Sequence, residues 1–391
     1  MAGGAGTRMA PLTDHRAKPV LPYAGVYRLV DFPLSNCAHS GIGDVWVLQQ
    51  FQPHALGQHL AGGRPWDLDR TRGGLEVLFP HQGDEESGWH QGNADAIYRN
   101  RSVIRQFDPD IVVVLSADHV YKLDYREVVA THLQRDAELT MVTTVVASDE
   151  VGRFGNVEVD HDGRVREFRY KPDEPLSDVV STEVFVFDAG RLLDALDELA
   201  GDGDDAALED FGDQLLPFFV RRQRVWEHRF HAYWRDVGTH ESYWRSHMDL
   251  LEAEPSLRLD DPSWPILTTA GTRPPARLYD TASVDNSLVS PGCIVRGQVR
   301  RSVLGPGVVV EEGAEVHDSV LLHEAVVGSG ALVAGVVADM GVRIGPRASV
   351  GSRPEPAPGR GDDDLVILGE GAEVPAGAEV GPGSRKSTSE D

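Results

Sequence analysis

Cysteine is scarce in this chain of 391 residues: only Cys37 and Cys293 are present. Their separation fits neither a disulfide framework nor a metal-ligand spacing. Both read as small apolar fillers in a reducing compartment. Long hydrophobic runs are missing too. No apolar stretch approaches the roughly 18 residues that a membrane span requires. Nothing like a signal peptide precedes the first glycines, so the expectation is a cytoplasmic protein without a membrane partner. Positive charge is in short supply: 37 Lys and Arg against 62 Asp and Glu leave a net charge of −25. Such a field repels nucleic acid, and any phosphate-binding site must be a local basic island within it.

What remains is ordinary globular material. Hydrophobic residues make up 41% and charged residues 25% of the chain, enough to bury a sizeable core. At roughly 150 residues per domain, the length predicts two domains.

The first informative stretch is Gly3-Gly4-Ala5-Gly6-Thr7-Arg8, followed by Arg16-Ala17-Lys18-Pro19. Glycines without a Cβ let a backbone approach a bulky anion. Arg8 and Lys18 bring a planar fork and a point charge to the same place, which suits a polyphosphate. An ordinary glycine turn with two surface cations is the plainer alternative. A phosphate loop usually follows a buried strand, and only Met1 and Ala2 stand before Gly3. The expectation is either a start internal to that strand or a sheet without it.

Further along, Asp44 to Leu48 reads as a buried strand, and residues 61–92 read as a long loop poor in periodicity. Ile111-Val112-Val113-Val114-Leu115 is an uninterrupted apolar run, as in a strand covered on both faces. It stops at Ser116-Ala117-Asp118-His119, which places Asp118 at a carboxyl end, where open α/β sheets bind ligands. A helix over 125–135 and a strand over 139–146 continue the alternation and predict an α/β domain with a mostly parallel sheet. A hairpin is expected from Phe154 to Tyr170 around Asp162-Gly163, and residues 201–210 form an acidic loop.

Near residue 280 a short repeat begins. Val310, Val316 and Leu322 are six apart, as are Val327 and Val333, Ile344 and Val350, and Leu368, Val374 and Val380. A six-residue period with glycine- and proline-rich turns is the mark of a parallel β-helix. Residues 352–364 read as an insertion. The domain reading is 1–250 for the α/β domain, 251–280 for a linker, 281–383 for the β-helix and 384–391 for a disordered tail.

The glycine loop, Arg16-Ala17-Lys18-Pro19, Asp118-His119-Val120-Tyr121, Tyr233-Trp234-Arg235-Asp236-Val237-Gly238-Thr239 and the hexapeptide repeats occur together in one family. The chain resembles bacterial glucose-1-phosphate adenylyltransferase (ADP-glucose pyrophosphorylase) from residue 3 to about 350. The resemblance implies a Rossmann-like nucleotidyltransferase domain followed by a left-handed parallel β-helix. It also implies a reaction of ATP with a hexose 1-phosphate, giving a nucleotide-sugar and pyrophosphate. A sugar phosphate is already ionised, so this reaction needs positioning, charge neutralisation and a metal rather than a general base.

By the same resemblance Asp118 and Asp236 hold Mg²⁺, and Arg8, Lys18 and Asp118 are catalytic. Gly3, Gly4, Gly6, Thr7 and Gly92 meet the nucleotide. His90, Gly155, Lys171, Ser181 and Asp210 meet the sugar phosphate. The implied assembly is a homotetramer, in which a paralogous subunit is the alternative partner. Trp89, Trp234 and Trp244 read as packing residues.

Departures lie on the sugar side. The family's Glu-Lys-Pro reads Tyr170-Lys171-Pro172, and its Ser-Met-Gly-x-Tyr reads Ser181-Thr182-Glu183-Val184-Phe185. His90 stands for a family tyrosine, and His15 for a lysine associated with activators. A site built to hydrogen-bond hydroxyls loses discrimination when those partners go. Nucleotidyl transfer is therefore better supported than glucose as the sugar. The alternatives are another hexose 1-phosphate, or a regulatory paralogue that binds sugar phosphate or nucleotide. An acyltransferase built on the β-helix is the third, weakened because no histidine stands out in the repeats as a general base.

Overall fold

The elements that position the site begin with α1 (Asp31–His39), β1 (Asp44–Leu48), β2 (Gly74–Leu78), β3 (Ile111–Leu115), β4 (His119–Tyr121) and α2 (Tyr125–Gln134). They continue with β5 (Leu139–Val145), β6 (Gly155–Val159), β7 (Val165–Tyr170), β8 (Val179–Asp188), β9 (Val225–Arg229), β10 (Trp234–Asp236) and α3 (His240–Asp249). The structure is a computed structural model that describes residues 1–2, 6–80, 90, 92–201, 208, 210–222, 224–269, 271–352 and 361–387. Gly3, Gly4, Trp89 and most of the acidic 201–210 loop lie outside the described residues.

The expected alternation holds, and β3, β5 and β9 run in a common direction. Between β3 and β5 lies β8, antiparallel to both, while β9 pairs parallel with β5. β8 is long because it serves two partners on one edge. Val180 faces Asn156 of β6, and Val184 to Asp188 face β3. The handover falls at a bulge between Ser181 and Phe185, where Glu183 takes φ +57°. A non-glycine residue in that left-handed region is strained.

The loop expected over 61–92 contains β2, which pairs parallel with β1. Its short Leu75-Glu76-Val77 alternation was too brief to register as a period. Where a first buried strand was expected, Met1 and Ala2 lie between β1 and β3. Ala2 donates to the Leu48 carbonyl (2.9 Å), and Met1 donates to the Leu115 carbonyl (2.7 Å). Beyond them β1 and β3 border an apolar cavity of about 370 Å³ lined by Val45, Val47, Ile111 and Val113.

The hexapeptide period closes into three flat faces, each a parallel sheet of six short strands. Val310, Val327, Ile344 and Val374 stack in one column, and Val316, Val333, Val350 and Val380 in another. All eight are buried, so each turn supplies one aliphatic side chain per face to a common interior. The first strand, Arg277–Leu278, falls inside the expected linker. At the other end Arg385–Lys386 pairs with Ile367 and Leu368, so residues 384–387 extend the third face instead of forming a tail. Their polar sequence hid this, because an outermost coil needs no inward aliphatic on every face. Residues 388–391 lie outside the described set.

One apolar cluster spans the two domains. Met9, Leu21, Phe32 and Tyr243 belong to the same cluster as Val320, Val337 and Ile367 of the β-helix. Trp244 packs there, as expected, and its indole donates to the Asp318 carbonyl (2.7 Å). A buried ion pair also joins the two domains. Arg16 forks onto both oxygens of Asp339 (2.8 and 2.9 Å) and reaches Glu370 (2.6 Å). Asp339 is 0% exposed. Burial pushes its carboxyl up, and the Arg16 fork opposes that.

Removing one partner of such a pair strands the other charge, at a cost of roughly 3–5 kcal/mol. Arg16→Met is therefore expected to lower the urea midpoint well below wild type. Arg16→Met with Asp339→Leu is expected to recover much of the loss; an unchanged midpoint in the single variant would contradict the clamp.

A second expectation concerns acid. His247 is fully buried between Tyr23 and Tyr243. Its Nδ1 donates to the Tyr243 carbonyl (2.8 Å), and its Nε2 accepts from the Ala24 N–H (3.1 Å). Burial lowers its pKa to about 4. As pH falls below the ordinary histidine value near 6.5, the unfolded chain takes up this proton first. The stability from this group is complete above about pH 6.5 and is lost toward pH 4, by roughly 3 kcal/mol. Denaturation at pH 7.5 and 4.5 should show a smaller pH effect in His247→Gln than in wild type.

Candidate active site

Asp118 lies just beyond β3, after Ser116 and Ala117, and Asp236 ends β10. The two are far apart in sequence and meet because β4 and β10 form a short antiparallel ladder with His119 opposite Asp236. Lys18 comes to the same point from the turn Lys18–Val20, where Pro19 presets the backbone. Its ammonium is 2.8 Å from Asp118 Oδ2 and 3.4 Å from Asp236 Oδ1. The lysine is buried, which lowers its pKa, but Asp118 and Asp236 outweigh that and raise it. Burial likewise pushes the Asp118 carboxyl up. Lys18, His119 and a hydrogen bond from Ser116 more than offset this and hold it well below the usual carboxylate range. Both aspartates share one cation, so this hard-oxygen pair is of the kind that suits a divalent ion such as Mg²⁺.

A cavity of about 510 Å³ opens beside this cluster. Gly6, Thr7 and Arg8 form one wall of it. Gly6 takes φ +63°, and a Cβ there would stand 3.2 Å from Thr13 and 3.3 Å from Lys18, so the turn requires glycine. Thr13 Oγ1 donates to the Gly6 carbonyl and pins it (2.9 Å). Arg8 is exposed to the cavity and is paired with no carboxylate among the described residues, leaving its fork available to an anion. Gly92, the residue before the helix Asn93–Arg99, also lines the cavity.

The opposite wall carries His90, Gly155, Ser181 and Asp210. Gly155 is a close approach: a Cβ would lie 2.7 Å from the Phe168 ring. Ser181 Oγ accepts from the Glu183 N–H (3.2 Å). Asp210 accepts from the Gly212 N–H (3.1 Å), capping the turn Phe211–Leu215, and from the Tyr170 hydroxyl (3.5 Å). Lys171 is not among the lining side chains. It is exposed, and its ammonium donates to the Tyr170 hydroxyl (2.8 Å). Tyr170 thus fills part of this wall and holds the lysine at the rim.

Ten of the proposed site residues therefore line one cavity, Asp236 joins them through Lys18, and Lys171 stands at the edge. Sequence reasoning missed three contributors. Gln50 clamps the His90 backbone with both ends of its amide (2.7 and 3.1 Å). His119 turns its ring into the carboxylate cluster. Glu183, noted only as a departure, points into the cavity beside Asp118. Glu183 had a signal, a charged residue in a β-branched strand; Gln50 had none.

Comparison with known proteins bears on this geometry. A family model described as nucleotidyl transferase matches residues 1–253, and one described as GlmU-like, C-terminal hexapeptide, matches residues 274–358. A glucose-1-phosphate adenylyltransferase of Thermomicrobium roseum is 43% identical over 388 residues, covering 97% of this chain and 90% of that protein. One from Acetivibrio thermocellus is 37% identical over 386 residues, again 97% and 90%. One from Clostridium acetobutylicum is 42% identical over 311 residues, 79% of this chain and 81% of that protein.

Proposed function

Because the chain belongs to the nucleotidyl transferase family, among the glucose-1-phosphate adenylyltransferases, we propose that it joins ATP and glucose 1-phosphate into ADP-glucose and pyrophosphate. The observation that supports this most is one cavity of about 510 Å³ bounded by a glycine turn, two cations, a carboxylate centre, and a wall carrying His90, Ser181 and Asp210.

In this reading Asp118 and Asp236 hold Mg²⁺, which when bound neutralises charge on the nucleotide phosphates. Arg8 and Lys18 take up the charge that develops on the departing pyrophosphate. Gly6, Thr7 and Gly92 let the backbone approach the nucleotide, a role the proposal also gives to Gly3 and Gly4. Lys171 grips the sugar's phosphate from the rim, where release from the Tyr170 hydroxyl frees its ammonium. Ser181, Asp210, His90 and Gly155 shape the sugar pocket. No residue takes a proton from the attacking phosphate, since it arrives ionised. The proposal includes a homotetramer, whose check is the mass of the particle in solution.

Incubation with Mg²⁺ and a panel of nucleoside triphosphates and hexose 1-phosphates should release pyrophosphate fastest with ATP and glucose 1-phosphate. Asp118→Asn should cut turnover at least a hundredfold with the circular dichroism spectrum of the folded protein retained, since one oxyanion-type contact alone is worth about 10²–10³. Full activity in Asp118→Asn would remove that residue from the metal site. No release from any pair would favour the regulatory paralogue.

A further inference from the structure

Tyr170, where the chain departs from the family's glutamate, is the middle member of three linked side chains beside the cavity. Its hydroxyl accepts from the Lys171 ammonium (2.8 Å) and donates toward Asp210 (3.5 Å). The same ammonium lies 4.4 Å from the centre of the Tyr170 ring, so a cation–π contact adds to the hydrogen bond. The ring is held in place. It packs against Gly212 so closely that a Cβ there would not fit, and Tyr170 ends β7 paired with Gly155. Burial and the Asp210 carboxylate raise the pKa of the phenol, so it stays protonated and keeps both bonds near neutral pH.

Lys171 holds this position against its own backbone. Its φ of +43° lies in the left-handed region, and Pro172 follows it. A residue before proline favours extended backbone, because the proline ring crowds its N–H and Cβ. A lysine left-handed at that point is strained, and strain of this kind gathers at clamps and switches. The Lys171 N–H donates to the Phe154 carbonyl (3.1 Å), which prolongs the β6–β7 ladder by one residue and fixes where the turn begins. Relaxation to extended backbone would remove the strain and part the ammonium from the hydroxyl. Lys171 makes no ion pair among the described residues, so no carboxylate competes for its charge.

We propose that Tyr170 is a positioning residue for the sugar phosphate: it stores the Lys171 ammonium at the rim, and the incoming phosphate must take the ammonium over. The inference rests on Lys171 gripping the sugar's phosphate. The exchange is between a neutral phenol oxygen and a phosphate carrying roughly −1.5 to −2 charge near neutral pH. An ionised acceptor holds an ammonium about twice as strongly as a neutral one, so the phosphate prevails, and relief of the left-handed backbone assists it. Parting from the hydroxyl weakens sugar-phosphate binding alone, because Tyr170 lies across the cavity from Gly6, Thr7 and Arg8. Tyr170 thereby sets the concentration at which the sugar phosphate is taken up.

The test compares Tyr170→Phe, which removes the hydroxyl and keeps the ring, with Lys171→Met and the double variant, all in the full chain. In Tyr170→Phe the KM for glucose 1-phosphate should fall about fivefold, the worth of one hydrogen bond at an exposed lysine, with kcat and the KM for ATP within about twofold of wild type. Lys171→Met should raise the glucose 1-phosphate KM about tenfold, and adding Tyr170→Phe to it should change nothing further. The chain has four lysines, Lys18, Lys122, Lys171 and Lys386, so lysine labelled with carbon-13 at Cε gives few resonances, and Lys171→Met assigns one of them. Titration with glucose 1-phosphate should move the Lys171 resonance at lower concentration in Tyr170→Phe than in wild type. An unchanged or raised KM in Tyr170→Phe, a fall that persists without Lys171, or identical titrations overturn the proposal. A wild-type KM in Lys171→Met removes the lysine from the sugar-phosphate site, and the proposal with it. If the wild type releases no pyrophosphate from any pair, adenylyl transfer falls, and the lysine titration alone decides whether Tyr170 stores the ammonium.

Discussion

The ammonium of Lys18 between Asp118 and Asp236 is the contact on which the active-site region depends. It joins three segments that no single element connects: the turn after the glycine loop, the end of β3 and the end of β10. Without a cation there, two carboxylates would face one another in a desolvated corner, and the β4–β10 ladder that brings them together would carry their repulsion. The same charge balance underlies the proposed chemistry, in which the two carboxylates around this one positive charge hold a divalent ion.

Two residues before Lys18, Arg16 ties this corner to the β-helix. The spacing matters physically. A short turn that is ion-paired at one end to Asp339 and at the other to Asp118 has little freedom to move, so the stacked coils act as a brace for the cavity wall at Lys18. The shared core of Phe32, Tyr243, Val320 and Ile367 supplies the apolar half of that brace. The β-helix is thus part of the architecture around the site, even though none of its side chains among the described residues lines the cavity.

Much of the fold was legible in the sequence, because period and composition report local burial. The β3 run, the helix at 125–134 and the inward columns of the β-helix all follow from which residues must leave water. β2 was not legible, since five residues carry too little pattern, and neither was the direction of β8. Within the site, Arg8, Lys18, Asp118 and Asp236 could be named from motifs and family resemblance. Gln50 and His119 could not. One acts through an amide on a distant backbone, and the other through a ring whose direction a neighbouring carbonyl sets.

The sequence by itself determined the two-domain plan, the acidic field with its basic island, and the candidates for phosphate and metal chemistry, because each depends on residue type and near-neighbour spacing. Only the tertiary structure decided which candidates meet. It put Lys18 between two aspartates, turned Lys171 toward Tyr170, and used a left-handed residue in β8 to bring Glu183 to the same centre. Those outcomes turn on strand register and backbone conformation, which arise from pairing across long stretches of chain and leave no mark in local sequence.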